Sequence, residues 1–108
     1  YDLLRRAVDK AHELGVRTQV GNVLSEDGFY GGDPEDTGRW ADMGVLALEM
    51  ESAALYMNAA KAKRKALSLL SISDLVLTGE SLPASERQTS FTQMMEVALS
   101  LATPDSKA

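Results

Sequence analysis

Ala66-Leu67-Ser68-Leu69-Leu70-Ser71-Ile72-Ser73-Asp74 is an apolar run that stops on a carboxylate. A short, nearly continuous apolar run reads as a strand of a parallel sheet, covered on both faces. The strand is expected over Ala66 to Ser73, with Asp74 just beyond it. In open α/β sheets ligands bind past the carboxyl ends of strands, so an acid placed there is a candidate proton donor. Arg87, thirteen positions on in Glu86-Arg87-Gln88, lies in the first turn of the next helical pattern. The plainer alternative is a Ser-Asp pair acting as a cap or turn.

The flanking segments fit this reading. Upstream, a helix runs from Ser52 to about Lys63, and the cations Lys61, Lys63, Arg64 and Lys65 suit the negative end of its dipole. Val45 to Leu48 is a short buried strand, followed by Glu49-Met50-Glu51, and Pro34 to Met43 is a short helix carrying Trp40 and stopped by Gly44. Ser25 to Pro34 is a turn-rich loop holding Phe29 and Tyr30, which can close over a ligand or pin the loop to a core. Val16 to Leu24 reads as a strand, with Gly21 as a bulge or close-approach point.

Residues 2–14 predict an amphipathic helix, with Leu3, Leu4, Ala7, Val8, Ala11 and Leu14 on one face and Arg5, Arg6, Asp9, Lys10 and Glu13 on the other. Asp2 is the expected cap at its start and Gly15 at its end. His12 is the only histidine and, without companions, a poor metal ligand. Downstream, Leu75 to Pro83 is a loop turning at Thr78-Gly79-Glu80. A helix starting at Ser85, with Gln88 completing a capping box, carries an apolar stripe of Phe91, Met94, Met95, Ala98, Leu99 and Ala102. The alternation of helix and strand predicts a parallel, three-layer α/β arrangement.

A chain of 108 residues makes at most one domain, and starting at Tyr1 directly in a helical pattern it reads as part of something longer. A net charge of −5 argues against nucleic acid or an anionic membrane as partner and leaves a small molecule or another protein. The absence of cysteine fits a reducing compartment. No run reaches the ~20 apolar residues of a bilayer span, so a cytoplasmic protein is expected.

Two features go beyond what folding asks. Glu49 and Glu51 lie two apart at a strand end, where i and i+2 share a face, and paired carboxylates suit the vicinal hydroxyls of a sugar. The structural alternative is that Glu51 favours the positive end of its helix. Arg87 opposes the dipole of its own helix, so an acid such as Asp74 or Glu86, or an anionic substrate, is expected beside it.

Val45-Leu46-Ala47-Leu48-Glu49-Met50-Glu51-Ser52-Ala53-Ala54, Ser73-Asp74, Thr78-Gly79-Glu80 and Glu86-Arg87-Gln88-Thr89-Ser90-Phe91 together resemble the C-terminal half of the bacterial hexameric purine nucleoside phosphorylases. The likeness extends from Gly21-Asn22 and Phe29-Tyr30 to the last helix. It implies a three-layer phosphorylase/nucleosidase-like fold, of which residues 1–108 would be the C-terminal half of a single domain. It also implies phosphorolysis of purine (deoxy)ribonucleosides to free base and (deoxy)ribose 1-phosphate.

By that resemblance Asp74 is the acid that protonates the five-membered ring of the departing purine, and Arg87 assists it. Met50 and Glu51 contact the ribose, Glu49 and Ser73 lie in the nucleoside site, and Phe29 packs on the base. Phosphate is the co-substrate, with no metal or organic cofactor. The full-length form is a homo-oligomer, a hexamer, in which the phosphate-binding residues come from the N-terminal half and a neighbouring subunit completes each site. Uridine phosphorylase or methylthioadenosine nucleosidase activity is the sibling reading, since Glu-Met-Glu is common to the superfamily. A catalytically silent α/β fragment, or an oligomerisation module, is the reading of another class.

Overall fold

The computed structural model describes residues 1–28 and 34–102, which fall into two units. The first unit joins Tyr1–Gln19, Leu67–Ser73 and the segment from Leu82 on. Its first helix, α1 (Asp2–Glu13), turns Ala7 and Ala11 inward against Val97 of a second helix, Ala84–Ala102. Alanines let two helices approach closely, and Val16, Leu67, Leu69 and Leu101 pack around the contact. Arg6, expected on the polar face, instead reaches over and donates from Nη2 to the carbonyl of Leu101 at 3.4 Å.

Asp2 is already helical, and the capping position falls to Tyr1, whose side chain makes no cap bond. Gly15 does end α1. At φ +70° its N–H bonds to the carbonyl of His12 while that of Val16 bonds to Ala11, the paired closure of a Schellman motif.

The 66–73 run corrects one expectation. It is in no strand ladder. Residues 66 to 69 are all half-buried, and burial alternates only beyond them, with Ser71 and Ser73 half-buried and Leu70 and Ile72 exposed; a strand exists only where a neighbour supplies the paired backbone. Leu67 and Leu69 pack against α1 and the C-terminal helix, and Ser71 Oγ donates to the carbonyl of Ser90 at 3.2 Å. The C-terminal helix departs from expectation as well. It begins at Ala84, so Ser85 is inside it and no capping box forms. Its inward stripe is Ser90, Met94, Val97 and Leu101, leaving Phe91, Met95 and Leu99 exposed.

The second unit, Val20–Ala66 with Asp74–Ser81, holds the parallel pair. Strand β1 (Asn22–Ser25) runs beside β2 (Val45–Glu49), with Leu24 opposite Leu48 and Ser25 opposite Glu49. The strand expected over 16–24 is paired only from Asn22, because Val16 is used in closing α1. Gly21 is the close-approach point: a Cβ there would meet Leu46 Cδ1 at 2.6 Å, and the register slips just after it, between Asn22 and Val23. Helix α2 (Pro34–Asp42) packs on β2, and α3 (Ser52–Lys61) follows it. A parallel strand pair with flanking helices keeps the chain in the α/β class.

The expected loop after Asp74 is a small hairpin, β3 (Asp74–Leu75) against β4 (Glu80–Ser81), turned by Gly79 at φ +75° with its N–H bonded to the carbonyl of Leu75. The C-terminal helix, Ala84–Ala102, is α4. No described helix is long and apolar enough to cross a membrane.

Candidate active site

At the carboxyl ends of β1 and β2, the strand register puts Ser25 directly opposite Glu49. The Ser25 hydroxyl donates to Glu49 Oε1. The other carboxylate oxygen, Oε2, accepts the backbone N–H of Glu51 at 2.8 Å and that of Ser52 at 2.6 Å. Ser25 Oγ in turn accepts the N–H of Ala53 at 3.0 Å.

The first amides of α3, which a helix cannot satisfy internally, are thus taken up by one serine and one glutamate. Burial tends to raise the Glu49 pKa, but the hydroxyl of Ser25, the amides of Glu51 and Ser52 and the Ser52 hydroxyl outweigh it and bring it from 4.5 to about 2.

This geometry separates the two glutamates. The chain turns at once after Glu49, so the strand-face argument that put Glu49 and Glu51 side by side does not apply: Glu49 folds back onto α3. Glu51 occupies the capping position at φ −125°, makes no side-chain cap bond and is exposed, as is Met50. Residues 50 and 51 are therefore presented on a tight turn whose base is fixed by Glu49.

Asp74 lies at the start of β3 in the same unit, exposed, with Oδ1 accepting the Ser81 hydroxyl at 2.6 Å across the hairpin. Ser73, next to it in the chain, belongs to the first unit, and its carbonyl accepts the N–H of Leu82 at 2.9 Å. The carbonyl of Leu82 receives Arg87 Nε, also at 2.9 Å. That bond is the answer to why a cation tolerates the first turn of α4: a backbone carbonyl, not an acid, holds its Nε. One residue, Leu82, so joins the end of the 66–73 run to Arg87 through its two backbone groups. Phe29 lies outside the described residues.

Sequence reasoning missed Ser25. The available signal was its place as the last residue of a strand, level with Glu49. Leu82 left no signal, because its links are made by backbone atoms. Among the described residues no group of three or more His, Cys, Asp or Glu side chains could hold a metal ion.

Comparison with known proteins gives a consistent result. Residues 1–103 match the family model described as the phosphorylase superfamily. The chain is 55% identical over 102 residues to a purine nucleoside phosphorylase DeoD-type of Geobacillus sp. (strain WCH70), covering 94% of this chain and 43% of the relative. It is 49% identical over 102 residues to that of Thermoanaerobacter sp. (strain X514), covering 94% of this chain and 44% of the relative. With the protein of the same name from Clostridium beijerinckii the identity is 52% over 99 residues, 92% of this chain and 42% of the relative. The chain spans less than half the length of these curated relatives.

Proposed function

We propose a function from one premise: the chain belongs to the phosphorylase superfamily. The function is that of the base- and ribose-binding part, the C-terminal half, of a cytoplasmic purine nucleoside phosphorylase. The whole enzyme takes a purine (deoxy)ribonucleoside and phosphate to free base and (deoxy)ribose 1-phosphate, and assembles as a hexamer. A phosphate oxygen forms a bond to the anomeric carbon as the glycosidic C–N bond breaks. The bonding pair leaves with the purine. Asp74, protonated on one carboxyl oxygen, gives its proton to the five-membered ring, so that a neutral base departs.

Arg87 assists Asp74. Glu51 accepts hydrogen bonds from the ribose hydroxyls and Met50 packs on the sugar, with Glu49 and Ser73 in the same nucleoside site and Phe29 on the base. Phosphate is the co-substrate, and no metal or organic cofactor takes part. The phosphate-binding residues lie outside these 108 positions.

The observation that supports this reading best is the turn after β2, where Glu49 is bound down and Met50 and Glu51 are left facing solvent at the carboxyl end of a parallel strand. The test is phosphorolysis of adenosine and inosine by the full-length protein. Asp74→Asn is expected to lower turnover about 100-fold or more, the usual range for loss of a general acid. Arg87→Ala is expected to cost less. Wild-type turnover by Asp74→Asn removes the acid assignment. Release of base from uridine or methylthioadenosine in place of purine nucleosides moves the chain to a sibling activity.

A further inference from the structure

Ser25 and Glu49 form a closed network at the strand ends. The serine hydroxyl donates to one carboxylate oxygen and accepts the Ala53 amide, while the other carboxylate oxygen takes the amides of Glu51 and Ser52. Each bond pins a different atom of one short segment. The amides of residues 51, 52 and 53 are fixed in sequence, so the backbone between β2 and α3 has little freedom left. The two residues that segment carries outward are Met50 and Glu51, both exposed. A carboxylate meant to accept from two vicinal hydroxyls works best when its backbone is already in place, because ordering it on binding costs affinity. Glu49, by contrast, has one oxygen doubly engaged and the other bound to Ser25, which leaves it poorly placed to bind a ligand directly.

We propose that Ser25 is a positioning residue for the ribose side of the nucleoside site, acting through Glu49 to hold the Met50-Glu51 turn. The proposal rests on the nucleoside reading above. It makes Glu49 an internal brace and Glu51 the sugar acceptor. It also ties the residue after Ser25 to the same turn, since the N–H of Glu26 bonds to the carbonyl of Glu49 at 2.9 Å.

The experiment is calorimetric titration of the full-length protein with adenosine and, separately, with adenine, combined with amide exchange at Glu51, Ser52 and Ala53. Ser25→Ala is expected to weaken adenosine binding about tenfold, the scale of one hydrogen bond to a charged group, while adenine affinity changes less than about twofold. Ser25→Thr, which keeps the hydroxyl, is expected to restore adenosine binding. Glu49→Gln, which keeps the size but weakens the acceptor, is expected to repeat the selective loss and serves if Ser25→Ala does not fold. Faster exchange at Ala53 with unchanged adenosine affinity overturns the proposal and leaves the network purely structural. Equal loss for adenosine and adenine also overturns it. If wild type binds neither compound, the nucleoside reading itself falls, and this one with it.

Discussion

The protonation of Glu49 is tied to folding. Its pKa falls from 4.5 to about 2 because a hydroxyl–carboxylate bond and two helix amides favour the charged form over the burial that opposes it. The folded value lies below the unfolded one, so between the two the unfolded chain binds more protons, and stability rises with pH there. The contribution is complete above about pH 4.5 and is lost as pH falls towards 2. Urea midpoints between pH 2 and 7 are therefore expected to drop steeply at the acid end for wild type. Glu49→Gln should give a shallower acid dependence and a lower midpoint at neutral pH; equal slopes would show that the bonds do not favour the charged form. The acids at 49, 51 and 74 were legible in the sequence as candidates, since charged residues that follow apolar runs stand out against them. The division of work between Glu49 and Glu51 was not, because it depends on the turn that starts one residue after the strand.

At the scale of elements, two helices end in the same way with different residues. After α1 the left-handed position is Gly15, at φ +70°. After α3 it is Lys63, at φ +57°, with the N–H of Lys63 bonded to Ala60 and that of Arg64 to Ala59. A side chain in that region costs roughly 1–2 kcal/mol, whereas glycine adopts it freely. Lys63→Gly is accordingly expected to stabilise the chain by about 1 kcal/mol and Gly15→Ala to destabilise it by about the same, read as opposite shifts of the urea midpoint. Helices were the most legible elements, because α1 announces itself by its apolar period and by Gly15 after it, and α3 by its largely apolar run ending in cations. The 66–73 run was less so: its apolar character is visible, but whether an extended segment joins a ladder is decided by another segment's backbone. In α4, two apolar stripes run side by side, and periodicity alone does not say that Ser90, Met94, Val97 and Leu101 turn inward rather than Phe91, Met95 and Leu99.

At the scale of the whole chain, the buried hydrophobic residues among those described are Ala7, Ala11 and Val97, while Met43, Met57 and Leu99 are about 70% or more exposed. Apolar surface of this kind in water favours association. Sedimentation velocity is expected to show concentration-dependent self-association, and a strictly monomeric chain at tens of micromolar would contradict it. The α/β class was legible because the order of elements carries it, whereas the extent of cover over each face was not. The capped start of α3 has one more consequence, for the division of labour in the proposed reaction. A free helix N-terminus attracts anions through its unpaired amides and dipole. Here the seat is taken by the chain's own carboxylate, a built-in counter-anion, so inorganic phosphate arriving at the turn meets spoken-for amides and a negative charge.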